Sequence, residues 1–167
     1  MNNINLFIFF LLTFVFVPNM KGDAQILDKE AYYEAMSSNK ISELNAQMEL
    51  LQNSSSVDKE AFEGALLMKK AGLTTSLRDK FNFFKSGRTK LELEIQRHSD
   101  NIEYRFLRVM IQENAPQIVH YKNELMTDCP LIKNAFNKLP PSLQQSILNY
   151  SKVSKLLISK ELQTNGR

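Results

Sequence analysis

The chain has 167 residues, of which 43 % are hydrophobic and 23 % are charged, and its formal net charge is +3. This length is typical of one compact domain, and the apolar content argues against a disordered chain. One cysteine and two histidines exclude a disulfide scaffold and the common zinc-binding folds.

The N-terminal segment is the most hydrophobic part of the chain. Residues 6–17 are apolar except for Thr13, and this run is too short for a membrane-spanning helix, which needs about 20 apolar residues. A signal peptide has an apolar core of about 7–15 residues, and Ala24 places a small residue directly before a possible cleavage at Gln25. We therefore predict that residues 1–24 are a cleaved secretory signal and that the protein is exported, to the periplasm or the medium. The alternatives are a short uncleaved anchor and an apolar helix packed in the core.

Basic residues are scattered through the rest of the chain. The predicted signal contains one lysine and one aspartate, so its removal leaves the net charge at +3. Lys69 and Lys70 are the only adjacent basic pair. Because nucleic-acid binding requires a concentrated basic face, we predict no nucleic-acid partner.

From residue 25 onward, apolar residues recur at helical spacing and no strand pattern is sustained. The predicted helices cover 28–38, 41–51, 58–71, 77–95 and 101–113, followed by one from Pro116, a short one capped by Asp128, and a last one over 142–160. Gly72 is expected to stop the third helix, and Ser86-Gly87 to kink the fourth. This pattern predicts an all-α stack of antiparallel hairpins, with a single domain over 25–160 and a frayed tail over 161–167.

Residues 61–110 resemble a tetratricopeptide-type repeat, whose units are antiparallel helix pairs. The segment Ala61-Phe62-Glu63-Gly64-Ala65-Leu66-Leu67 is similar to the first helix of such a unit, and Asp100-Asn101 lies where the family often has Pro-x-Asn. The resemblance implies a short helical-repeat fold whose relatives bind proteins or peptides on a concave face. An irregular helical bundle is the alternative. The overall layout also resembles small uncharacterised exported bacterial proteins.

The predicted helix 101–113 is apolar around most of its circumference, which is typical of a helix in the middle of a stack. Arg105, Arg108 and Gln112 form its one polar stripe. Two guanidinium groups on a buried helix need carboxylate partners or an anionic ligand. One interpretation is a structural ion-pair network; the other is a binding site for an anion or a peptide carboxylate formed by these three residues. Candidate acids for the network are Glu92, Glu94 and Glu113.

Other candidate chemistry is sparse. His120 and Glu124 would lie one helical turn apart, but two ligands without a third are typical of a surface pair. Cys129 is predicted to be a buried or half-buried structural thiol at a helix start. The sequence lacks a Gly-x-Ser-x-Gly elbow, a phosphate-binding loop and a dinucleotide-binding glycine motif. We therefore predict no enzymatic activity, no cofactor and no metal.

These features favour an exported, non-enzymatic helical domain that binds another protein or a peptide in a groove between helical hairpins. The alternative is a carrier of a lipid or small anionic ligand in an interhelical cavity. That cavity would lie among Tyr104, Phe106, Met110 and the phenylalanines of the fourth helix, with Arg105 or Arg108 as its polar anchor. Contact with a membrane is expected only through the signal segment before cleavage.

Overall fold

A computed structural model describes residues 27–164. The predicted signal, its cleavage position between Ala24 and Gln25, and residues 165–167 lie outside the described residues. The described part contains α1 (Lys29–Ser37), α2 (Ile41–Gln52), α3 (Lys59–Leu73), α4 (Leu77–Arg97), α5 (Ile102–Asn114), α6 (Leu125–Ala135), α7 (Pro141–Ser151) and α8 (Ser159–Thr164). Two 3-10 turns, Gln117–Val119 and Phe136–Lys138, flank α6. Residues 27–164 contain no strand, so the predicted all-α class is confirmed.

Side chains cap several of these helices where the sequence predicts a start. The Asp28 carboxylate accepts a hydrogen bond from the Ala31 amide at 3.1 Å. Asn101 accepts from the amides of Glu103 and Tyr104 at 3.0 and 3.2 Å. Because the first amides of a helix have no partner inside it, these contacts fix where α1 and α5 begin.

The predicted stop of α3 at Gly72 is wrong, and α4 is continuous through the position where a kink is predicted. Gly72 lies inside α3, which continues to Leu73 and ends at Thr74 in an extended conformation, with φ −73° and ψ 149°. A glycine stops a helix by taking a left-handed conformation, and no described glycine has a positive φ. Ser86-Gly87 does not break α4, which runs on to Arg97. Gly87 instead serves packing against α3.

The boundaries after α5 also differ from the predicted ones. Pro116 precedes only a single 3-10 turn, because His120 leaves it in a left-handed conformation with φ 45°. Asp128 does not cap a helix; it lies inside α6, which begins at Leu125. The predicted last helix is divided into α7 and α8. The Glu113 carboxylate accepts from the Ser154 hydroxyl at 2.8 Å and from a neighbouring amide, which holds the turn between them.

The domain extends beyond residue 160, where a frayed tail was expected. α8 runs to Thr164, and Leu162 within it is completely buried. Lys133 of α6 forms an ion pair with Glu161 across this contact. Burial of this one apolar side chain among polar ones anchors α8, and fraying of the tail stays a prediction.

α5 is the central helix, as its apolar circumference predicts. It packs against α3, α4, α6 and α7. Its buried side chains are Tyr104, Phe106, Leu107, Val109, Met110 and Ile111, together with the polar Glu103, Arg108 and Gln112. The core therefore surrounds α5, and the polar groups on this helix have to find partners inside the protein.

α3 and α4 form an antiparallel hairpin with an unusually close contact. A Cβ atom on Gly64 would lie 2.8 Å from the Gly87 carbonyl oxygen and 2.8 Å from the Leu91 amide nitrogen. A Cβ on Gly87 would lie 2.5 Å from the Gly64 carbonyl oxygen. The two backbones therefore touch where both residues lack a side chain, and this contact fixes the course of α4 across α3.

Within residues 27–164, no helix combines the length and the apolar character that a membrane crossing would require.

The Gly64 and Gly87 contact predicts a stability pattern among glycine variants. Gly64→Ala and Gly87→Ala should each destabilise the protein by about 1–3 kcal/mol, because the added methyl group meets rigid backbone atoms. Gly72→Ala should stabilise it by about 0.5–1 kcal/mol, because alanine favours a helix and nothing lies within 4 Å of the new Cβ. Urea denaturation of the three variants measures the effect. Equal free energies of unfolding for all three would contradict the close packing.

Candidate functional site

The polar stripe of α5 is held by a buried carboxylate on α6. Asp128 is completely buried and accepts from Arg108 in a bidentate manner, with Nε–Oδ2 at 2.7 Å and Nη2–Oδ1 at 2.9 Å. Arg105 donates to the same carboxylate at 2.8 Å. Glu92 of α4 accepts from Arg108 at 2.7 Å. Two positive and two negative charges are thereby balanced between α4, α5 and α6.

This arrangement confirms the predicted ion-pair network and changes its membership. Glu92 belongs to it, as predicted, but its central acid is Asp128, which the sequence pattern assigned to a helix cap. Burial by itself would lower the pKa of Arg108, but the hydrogen bonds that it donates to Asp128 and the charge of Glu92 raise that pKa. The guanidinium group therefore stays charged because its partners are within the protein.

Gln112 completes the stripe from the other end. Its side chain is completely buried, and its Nε2 donates to the Glu124 carboxylate. Its Oε1 has no hydrogen-bond partner among the described residues. Both arginines and Gln112 thus bind α6 and the turn before it to α5. Their predicted role as ligand-binding residues stays a prediction, and none of the three lines the groove described below.

The other two candidate acids serve separate local contacts. Glu94 accepts from Arg97 at 2.7 Å and lies 3.8 Å from His98 at the end of α4. Glu113 accepts from the Tyr150 hydroxyl at 2.9 Å as well as from the turn after α7. These two glutamates therefore stabilise helix ends and do not join the arginine network.

The histidine pair and the cysteine show no reactive geometry. His120 is exposed and ends a 3-10 turn, so it is not one helical turn from Glu124, which binds Gln112 instead. Cys129 is buried in α6, as predicted. Burial raises the pKa of its thiol from 9.0 to about 11, so the thiol is protonated at neutral pH and is a poor nucleophile.

The surface of residues 27–164 contains an open apolar groove. It has a volume of about 680 Å³ and lies where the C-terminal parts of α1, α3, α5 and α7 meet the N-terminal half of α4. Its apolar lining residues are Met36, Met68, Ala71, Leu73, Leu77, Phe81, Phe84, Met110, Ile111, Ala115, Pro116, Val119, Tyr150 and Val153. Binding sites for ligands and peptide segments are commonly of this size and character.

The rim of this apolar groove carries large side chains that are exposed to solvent. Leu77 and Phe81 on α4 are 82 % and 66 % exposed, and Val153 after α7 is 76 % exposed. A protein that works alone rarely leaves so many large apolar groups together on one surface. The apolar groove is therefore the best candidate for a functional site.

The floor of the apolar groove contains three methionines from three different helices, Met36, Met68 and Met110. Each is at least nine-tenths buried. A methionine side chain is unbranched and polarizable, so it adapts to partners of different shape. The groove therefore combines an adaptable floor with a protruding apolar rim.

A smaller polar cleft adjoins the apolar groove between α1 and α7. Its volume is about 470 Å³, and the two share Ser37, Met110, Asn149 and Tyr150. Glu30 and Glu34 of α1 line this cleft. The combined surface is therefore apolar at one end and polar, with two carboxylates, at the other.

The sequence predicted part of this site. Met110 and the α4 phenylalanines Phe81 and Phe84 line the apolar groove, as the carrier alternative expected. Tyr104 and Phe106 do not, because both are buried in the core, where the Tyr104 hydroxyl donates to Asp58 at 2.6 Å. The signal that sequence reasoning missed is the run Leu77–Phe81, where two large apolar residues stand one turn apart among charged ones.

Within residues 27–164, no group of three or more histidine, cysteine, aspartate or glutamate side chains is placed to hold a metal ion. No protein-family model, no curated protein and no solved structure matches the chain. The chemistry of the apolar groove is thus the main basis for a functional proposal.

The buried ion-pair network predicts a large cost for removing its central charge. Among the described residues, Asp128→Asn leaves Arg108 with Glu92 alone and Arg105 with no carboxylate partner, so the free energy of unfolding should fall by about 3–5 kcal/mol. Urea denaturation followed by circular dichroism measures this loss. Glu43→Gln is the control, because it breaks the exposed Lys40–Glu43 pair and should leave stability nearly unchanged. Similar small effects from both variants would contradict the central position of Asp128.

Proposed function

We propose that the mature chain is an exported, non-enzymatic helical domain that binds a segment of another protein in the apolar groove. The observation that carries this proposal is the exposure of Leu77, Phe81 and Val153 around an apolar floor. Burial of apolar surface is favourable by about 25 cal/mol per Å², and these side chains do not gain this free energy while they remain in water. A partner that covers them recovers that free energy.

The openness of the site favours a protein segment over an enclosed small molecule. The rim residues come from two separate elements, α4 and the turn after α7, and they are exposed to solvent. Anchors of a partner helix or strand can insert between them and reach the methionine floor. The resemblance of residues 61–110 to a tetratricopeptide-type repeat is compatible with such binding.

A second candidate, a carrier of a lipid or small anionic ligand, is favoured by one specific observation. Lys69 and Lys80 line the apolar groove, and no other residue between 27 and 164 that lines it is charged. An anionic head group could pair with them while an acyl chain covers the floor. A carrier would therefore bind its ligand in the same apolar groove. Its anionic group would pair with these two lysines and not with the predicted Arg105 or Arg108.

Photo-crosslinking tests the proposed function in the exporting cell. Benzoylphenylalanine in place of Phe81 should give an adduct with the mass of a second protein, because residue 81 lies on the rim of the apolar groove. The same group in place of Lys85 is the matched control, since Lys85 is exposed on α4 but outside the lining. An adduct of lipid mass at residue 81 would favour the carrier, and no specific adduct would overturn both proposals.

Export is the second part of the proposal and has its own test. Residues 6–17 form an apolar core of signal-peptide length, followed by small residues before Gln25. Expression of the full chain in an exporting host should yield a secreted or periplasmic protein whose intact mass begins at Gln25. Recovery of the unprocessed chain in the cytoplasmic fraction would contradict the signal, whereas an unprocessed chain in the membrane fraction would support an uncleaved anchor.

A further inference from the structure

The two charged residues that line the apolar groove are both lysines. Lys69 lies near the end of α3 and Lys80 near the start of α4, on the two arms of one hairpin. Neither forms an ion pair with any residue between 27 and 164. The apolar groove thus presents two ammonium groups without an internal counter-charge.

Lys69 is half-buried beside the apolar lining. Burial lowers the pKa of its ammonium group, because the charged form loses contact with water. An incoming carboxylate would replace part of the lost hydration, and the attraction between opposite charges increases where water is excluded. The surroundings of Lys69 therefore favour an acidic group on the occupant.

The opposite end of the combined surface has the opposite charge. Glu30 and Glu34 line the adjoining polar cleft, are exposed, and form no ion pair with a described residue. A uniformly anionic surface, such as a membrane rich in acidic lipids, would meet attraction at the lysines and repulsion at these glutamates. The two ends together favour an occupant that is acidic at the end near the lysines and not acidic at the end near the glutamates.

The open apolar groove and its methionine floor indicate the secondary structure of that occupant. An amphipathic helix presents apolar side chains at positions i, i+3, i+4 and i+7, and such helices bind in open apolar grooves with flexible methionine floors. Resting on the proposed function, we infer that the occupant is an amphipathic helix of a partner protein. It carries Asp or Glu side chains at the end that faces Lys69 and Lys80, and neutral or basic ones at the end that faces Glu30 and Glu34.

Selection from a displayed peptide library tests this inference without assuming a partner. The library contains 16-residue peptides with apolar residues fixed at i, i+3, i+4, i+7, i+8 and i+11 and with every other position randomised. Peptides are selected on the mature chain and counter-selected on the Phe81→Ser variant. We expect the enriched peptides to have Asp and Glu concentrated at one end and depleted at the other.

Charge reversal then assigns the acidic end to the lysines. Affinity of the selected peptides for a variant with both Lys69→Glu and Lys80→Glu should fall about tenfold, corresponding to about 1.4 kcal/mol. Replacing the acidic residues of the peptide by lysine should restore binding to this variant. Lys85→Glu, at an exposed position of α4 outside the lining, is the control and should change affinity less than twofold. Circular dichroism verifies that each variant is folded.

The remaining outcomes separate this inference from the proposed function. Enriched peptides without an acidic end would overturn the inference and leave binding of a protein segment in place. No enrichment over the Phe81→Ser variant would overturn both. A third outcome is that no peptide is enriched and the wild-type chain binds vesicles of phosphatidylglycerol, whereas the double lysine variant does not. This outcome would assign the lysines to a lipid surface and would also overturn the inference.

Discussion

The contact between Gly64 and Gly87 sets the course of the longest helix in the domain. At this point the backbones of α3 and α4 approach so closely that a single added methyl group would overlap with a carbonyl oxygen. Packing that is this close requires glycine at both positions, because any residue with a Cβ atom would force the helices apart. Gly87 therefore holds the middle of α4 against α3. The part of α4 before Gly87 forms one wall of the apolar groove with Leu77, Lys80, Phe81 and Phe84.

The position of α6 against α5 is fixed by charge rather than by close packing. Asp128 is buried between two arginines, and an arrangement of this kind often contributes less stability than apolar residues of equal size would. Its value lies in its specificity, because α6 has to place one carboxylate where both guanidinium groups reach it. The network thus positions α6 without using the α5 residues that face the apolar groove, and Met110 and Ile111 remain available there.

Most helices could be predicted from the sequence, but the contacts between them could not. Periodic apolar residues located α2, α4 and α5 almost to the residue, since burial on one face is a local pattern. Gly72, Gly87 and Asp128 were assigned to stops, kinks and caps, which are the local roles of these residue types. In the structure, Gly87 and Asp128 instead serve neighbours 23 and 20 residues away. Contacts between residues so far apart leave no pattern in the local sequence. The same is true of the three methionines that come from three helices to form one floor.

The wall of the apolar groove formed by α4 differs in local stability from the rest of that helix. Every residue from 77 to 82 is exposed, so this segment gains little from burial. Its helical state depends instead on the Ser76 side chain, which accepts from the Asp79 amide at 3.3 Å, and on continuity with the packed part of the helix beyond Gly87. Segments with few buried contacts open more readily than the core does. The wall that bears Leu77 and Phe81 can consequently adjust to an occupant through its backbone, whereas the floor adjusts through its methionine side chains while its helices stay in place.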